Sequence, residues 1–324
     1  MNHLAPEVRT TLIAVFATLA LSNIGLFLKM RLWPGRDDVE IRDRIRTWWA
    51  IAGLLALALY VSPSAGVAFF GFVSFLALKE FLSMAPTRRA DRRVLFYAYL
   101  AVPIQYYFAG SNWYVMFVTF IPVFMFAWLP TRMWMIGQTE GFLRAAGTLH
   151  WALMVTVFSL SHTAYLLAFE PATASRIEPE FPSIVATQFP GPGLLLFLIM
   201  MTEMNDIFQF CWGKALGKRK VAPTVSPGKT YAGLIGGVAS TIALSWLIGP
   251  ILTPMDVPRS LIAGVIIALA GFAGDLCMSA LKRDLKIKDF GATLPGHGGV
   301  LDRVDSLVLS APLFFQYIYY CYGS

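Results

Sequence analysis

Apolar stretches long enough to cross a bilayer recur along the whole of this 324-residue chain. A crossing takes about twenty predominantly apolar residues wound as a helix. Inside lipid, every backbone N–H and C=O must be satisfied within the protein, which leaves helices or a closed barrel. The runs here are of helix length. Read from their polar or Gly/Pro breaks, the spans fall at about 10–28, 47–61, 65–82, 94–109, 113–129, 148–169, 192–212, 230–249, 259–281 and 304–321. The second, fourth and fifth are short, so one close pair could form a re-entrant hairpin. The expected fold is an all-α polytopic bundle of nine to ten transmembrane helices.

Composition agrees with this division. The chain is 57% hydrophobic and 14% charged, and a soluble domain of this size would have to expose much of that apolar surface. Residues 1–190 hold the first six spans. Residues 191–324 hold the last four together with the richest polar loops, and the two parts are read as one membrane domain. The run Thr11–Leu28, preceded by Arg9, is longer than the apolar core of a signal peptide and lacks a small-residue cleavage site before Lys29, so it is expected to remain as a helix. Cys211, Cys277 and Cys321 form no CxxC pair and are expected to be packing residues.

The net charge of +7 does not point to nucleic acid, because the basic residues fall in short blocks between apolar runs. Of the 26 Lys and Arg, 22 sit on alternate connections, around 29–46, 88–93, 132–144, 214–229 and 282–303. Under the positive-inside rule those connections face the cytoplasm and both termini lie outside. The segment 170–191, with Pro171, Pro179, Pro182 and Pro190, is read as an external loop.

The densest polar segment is GDLCMSALKRDLKIKDFGATLPGHGGVLDRVD, from Gly274 to Asp305. It places five acidic residues, five basic residues and His297 directly after an apolar run. On a helix Asp275, Ser279 and Lys282 share one face, and Asp302 and Asp305 share another at the start of the final span. Carboxylates from two helix ends joined by a Gly/Pro loop can converge on a divalent cation. Magnesium suits such hard oxygen ligands, and a second cation is compatible with them. The plain alternative is that Lys282, Arg283, Lys286 and Lys288 set topology or meet anionic lipid headgroups. Asp275 resists that reading, because an acid at the membrane boundary is costly.

Ser279, Lys282-Arg283, Lys288-Asp289, Gly291, Leu294-Pro295, His297-Gly298-Gly299 and Asp302-Arg303-Val304-Asp305 resemble the complete signature of the phosphatidate cytidylyltransferases, also called CDP-diacylglycerol synthases. A second block, with Asp206, Gly213, Gly217, Lys218, Pro223 and Ser226-Pro227-Gly228-Lys229-Thr230, is similar to an upstream segment of that family. It departs from the family at Gln209-Phe210, where Ala-Tyr is usual, as in a paralogue with an altered acceptor lipid. Lys79-Glu80-Phe81 is only loosely similar to an acidic position in the family's early spans. Gly228-Lys229-Thr230 also invites a P-loop reading, which fails because Pro223 stands where the earlier glycine is required.

The resemblance implies transfer of CMP from CTP to phosphatidic acid or a related lipid phosphate, with release of pyrophosphate. It implies a bacterial cytoplasmic membrane with the active site on the cytoplasmic side. Asp275, Asp302 and Asp305 would hold magnesium, and Lys282, Arg283 and His297 would join Asp275 and Asp302 in catalysis. Asp206, Ser226, Lys229, Thr230, Ser279, Lys288, Asp289 and Arg303 would contact substrate. The rival class is a transporter or scramblase, for which Glu203, Asn205, Asp206 and Gln209 would line a path, although the motif residues cluster at one face. Interfaces rich in small residues join spans within one chain as readily as between chains, so a homodimer is compatible.

Overall fold

A computed structural model describes residues 4–32, 38–85, 88, 91–169, 191–296 and 298–323. Ten helices dominate these residues. They are α1 (Pro6–Leu32), α2 (Asp38–Val61), α3 (Pro63–Met84), α4 (Arg92–Gly110), α5 (Tyr114–Trp134), α6 (Phe142–Ala168), α7 (Gly191–Leu216), α8 (Tyr231–Leu252), α9 (Val257–Asp284) and α10 (Leu307–Tyr322). Each coincides with one expected span. The protein is an all-α polytopic membrane protein, and eight of these helices are long and apolar enough to cross a bilayer. The other two are α4, which carries Arg92, Arg93 and Gln105, and α10, whose 16 residues extend about 24 Å.

Local chemistry sets the boundaries. Ser62 caps α3 by accepting from the Ala65 N–H at 3.0 Å, with Pro63 pre-set for the first turn. Asp256 does the same for α9 through the Arg259 N–H. In α5, Pro122 supplies no N–H, and the helix widens to a π segment over Phe120–Met125. The nearby Phe117 carbonyl accepts from Gln105 Nε2 of α4 at 3.0 Å, so the irregularity leaves that buried acceptor satisfied.

Helix α6 is the central post, 78% buried over its most apolar window, whereas α1 is 6% buried and lies at the periphery. The second span begins at 38 rather than 47, so Arg42, Arg44 and Arg46 ride on the first turns of α2. Similarly, α9 runs on to Asp284 and takes Lys282 and Arg283 into its last turn. Cys211 and Cys277 are exposed on α7 and α9 and do not pack in the core as expected. Most of the proposed external loop, 170–190, lies outside the described residues.

Two ends of the bundle are distinct. At one end Gly193 sits against the Leu252 carbonyl and Asn112 Nδ2 donates to the Ala168 carbonyl. The other end gathers the motif segments. A two-stranded antiparallel hairpin, β1 (Lys220–Ala222) and β2 (Ser226–Thr230), joins α7 to α8. Residues 285–306 join α9 to α10 beside it, and the amino end of α2 reaches them through a hydrogen bond from Thr47 Oγ1 to the Pro295 carbonyl.

Candidate active site

A polar cavity of about 240 Å3 opens at this end, between α7, β2, α9 and the turn before α10. Asp206 and Asp275 lie ten and nine residues short of the ends of their helices. At 1.5 Å per residue the cavity is therefore recessed roughly 14 Å below those ends. Five carboxylates line it, from Glu203, Asp206, Asp275, Asp302 and Asp305, against the cations of Lys229 and Arg303.

Lys229 enters from β2 and sits among acceptors. Its Nζ is 2.7 Å from Asp275 Oδ2 and 3.6 Å from Asp206 Oδ1, and it donates to Gln209 Oε1 at 3.1 Å. Burial pushes the ammonium pKa down, but Asp275 and Asp206 outweigh it, and the group stands above the ordinary lysine value. Asp206 Oδ2 accepts from Ser306 Oγ at 2.8 Å. Its Oδ1 is buried without a hydrogen-bond partner. Asp275 Oδ1 accepts from Ser279 Oγ at 3.3 Å, one turn along the shared helix face.

Lys282 makes a second bridge. Its Nζ is 3.1 Å from Asp302 Oδ1 and 3.7 Å from Asp305 Oδ2. These two aspartates were expected on the first turn of the last helix, but α10 starts only at Leu307. Asp302 lies in a 3-10 turn, Leu301–Arg303, with Asp305 just beyond it. The turn nevertheless brings both carboxylates within reach of one lysine. Asp302 Oδ2 also accepts from the Phe290 N–H at 2.8 Å and the Gly299 N–H at 3.0 Å. Both of its oxygens are thus engaged in holding the loop. Burial pushes the Asp305 carboxyl up to about 7, with Asp275 adding to the rise and Lys282 opposing it.

The other expected site residues fall at different distances from the cavity. Arg303 lines it. Arg283 points to the hairpin and donates from Nε to the Val225 carbonyl at 3.3 Å. Ser226 pairs with Ala222 within the hairpin, and neither it nor Thr230 lines the cavity. Thr230 is 3% exposed and caps α8 by accepting from the Gly233 N–H at 3.1 Å. Lys288 and Asp289 are exposed on the loop. His297 lies outside the described residues.

Two features went unrecognised in the sequence. Glu203 shares a helix face with Asp206 at a spacing of three, a signal that was present but was read for another class of protein. Gln209, noted as a departure and as a lining residue of the rival path, proves to hold Lys229.

Among the described residues, no three His, Cys, Asp or Glu side chains stand close enough together to hold a metal ion, because lysines lie between the acids. The donor set nevertheless fits a hard divalent cation. It is all oxygen, it carries an excess of negative charge, and the buried Asp206 Oδ1 lacks a hydrogen-bond partner.

Residues 42–321 match the profile of the Cytidylyltransferase family. The chain is similar to uncharacterized protein YnbB of Escherichia coli (strain K12), at 42% identity over 96% of this chain and 98% of that protein. It is also similar to the phosphatidate cytidylyltransferase of Haemophilus influenzae, at 31% identity over 62% of this chain and 78% of the relative. Against the Chlamydia trachomatis phosphatidate cytidylyltransferase the identity is 41%, over 40% of this chain and 44% of the relative. A match over that much of the chain, on a membrane bundle with the motif segments gathered at one end, establishes that the protein belongs to the cytidylyltransferase family and is a nucleotidyltransferase.

Proposed function

We propose that this enzyme transfers the cytidylyl group of CTP to the phosphate of phosphatidic acid, forming CDP-diacylglycerol and pyrophosphate. The observation that carries the reading is the recessed cavity, where carboxylates and lysines from three polar segments meet within a membrane bundle. A phosphate oxygen of the lipid attacks the α-phosphorus of CTP as the bond to the β-phosphate oxygen breaks, and pyrophosphate leaves with that electron pair. The attacking group is already anionic at neutral pH, so no proton need be removed. The protein's work is to align two anions and offset their repulsion.

Lys229, Lys282 and Arg303 suit the phosphates, as charges that gain strength in a site sheltered from water. Asp206 and Asp275 would hold magnesium, with Asp305 beside them and Asp302 fixing the loop behind them. Bound there, magnesium supplies Lewis-acid polarisation and a template for the triphosphate. The basic connections support an orientation with this end of the bundle in the cytoplasm, where CTP is dissolved, and both termini outside.

The test is product analysis. Purified protein is supplied with labelled CTP, magnesium and a panel of lipid phosphates that includes phosphatidic acid. Label appearing in a lipid with stoichiometric pyrophosphate supports the reading. Lipid flux without CTP consumption would support a translocating protein instead.

A further inference from the structure

Glu80 lies on α3, more than two hundred residues before the motif loop, and it is 8% exposed. Its Oε1 accepts from Thr293 Oγ1 at 2.6 Å and from the Val300 N–H at 2.9 Å, and its Oε2 accepts from the Leu301 N–H at 2.9 Å. The last two donors open the 3-10 turn that carries Asp302 and Arg303. Glu80 therefore does from a distant helix what an N-cap aspartate does within its own chain segment. The neighbouring Phe81 stacks on Phe290 at 6.2 Å, and the Lys282 ammonium lies 5.8 Å above that same ring.

Two glycines of the loop follow from this approach. A Cβ at Gly299 would stand 2.5 Å from Glu80 Oε2, and one at Gly291 would stand 3.1 Å from Oε1. A carboxylate in this place, near the negative end of the α3 dipole, is costly. Three donors converge on it, and a carboxylate offers two acceptor oxygens where an amide offers one. The charge is therefore matched to the loop rather than to α3.

We propose that Glu80 is a positioning residue for the transfer reaction. It holds the backbone of residues 299–302 so that Asp302 meets Lys282, and Arg303 and Asp305 line the cavity. The proposal rests on the reading of that cavity as the active site.

The test uses full-length protein in detergent, with Glu80→Gln, Glu80→Asp and Thr293→Val. Glu80→Gln keeps one acceptor oxygen but sets an NH2 against the Leu301 N–H. The expected result is a fall in kcat of tenfold or more with the KM for CTP changed less than threefold, and cleavage by trypsin after Arg303 at least tenfold faster. Helical content should stay unchanged. Thr293→Val, which removes one donor and leaves the backbone pair, should fall between wild type and Glu80→Gln on both readouts, and Glu80→Asp should regain part of the protection. Wild-type kcat and wild-type cleavage in Glu80→Gln would overturn the proposal. So would a lowered thermal midpoint with kcat per folded molecule unchanged, which marks a purely structural anchor. Should wild type label no lipid at all, the function reading fails, while the cleavage comparison still decides whether Glu80 sets the loop.

Discussion

Replacing Lys229 with Met tests whether an ammonium and a metal ion share one set of carboxylates. The Nζ lies 2.7 Å from Asp275 and 3.6 Å from Asp206, and its strongest pair is about four-fifths buried on both sides. A hydrogen bond between charged groups contributes about 1.5–3 kcal/mol. A divalent cation binding to Asp206 and Asp275 must first displace that interaction. Removing the ammonium should therefore tighten cation binding to the nucleotide-free protein by roughly ten- to a hundredfold, since each 1.4 kcal/mol is a factor of ten. Turnover should fall in the same variant, because the side chain assigned to phosphate is gone. Titration of Mn2+ by electron paramagnetic resonance, with magnesium as competitor, reads the affinity directly. Adding Asp275→Asn to the variant should abolish the gain. If Lys229→Met binds Mn2+ no tighter than wild type, the lysine and the metal do not compete, and the assignment of Asp206 and Asp275 to metal is refuted.

Other expectations follow from the same contacts. Asp302→Asn leaves Lys282 facing an amide and removes one partner of a buried pair, a change that costs about 3–5 kcal/mol; its thermal midpoint should fall further than that of Asp275→Asn. Asp305 in the metal-free protein is raised to about 7, so the folded chain binds more protons than the unfolded chain between the ordinary carboxylate range and about pH 7. Stability from this group is fully present below the unfolded value and is lost as pH rises through about 7. Calorimetry of metal binding in two buffers of different ionisation heat should accordingly show proton release near neutrality, and the same release at pH 9 would count against the raised value. Thr230→Val removes the cap of α8 and should cost about 1 kcal/mol with the KM for CTP unchanged, whereas a large rise in that KM would return Thr230 to the substrate.

The helices were legible because lipid leaves a long apolar run little else to become, and each of the ten fell where composition placed it. Asp275 with Ser279 was legible for a similar reason, since helical periodicity alone puts them side by side. Periodicity misled at Asp302 and Asp305, where a short 3-10 turn takes the place of the first turn of the last helix. The partners of Lys229 were hidden because they come from α7 and α9, and no local pattern encodes which distant helix a hairpin lysine will meet. Glu80 was the most concealed. Its sequence offered only a loose similarity to an acidic position in the family's early spans, and no local pattern foretells the donors from residues 293–301 that converge on it.

Carboxylates recessed below the helix ends are tolerable only when each finds compensation, because desolvating an unpaired charge costs several kcal/mol. Here the compensation also joins the elements. Lys229 ties α7 to α9 through Asp206 and Asp275, and Lys282 ties α9 to the turn before α10 through Asp302 and Asp305. Lysine suits this work better than arginine. Its compact charge on a flexible stem can leave one carboxylate for a phosphate without breaking a bidentate fork. The two bridges are not equivalent, however. Asp302 keeps two backbone donors if Lys282 withdraws, whereas Asp206 Oδ1 has no hydrogen bond to fall back on. Charge is therefore less compensated at Asp206 than at Asp302, and a cation gains more there, while the Lys282 side keeps the loop in place as the site fills.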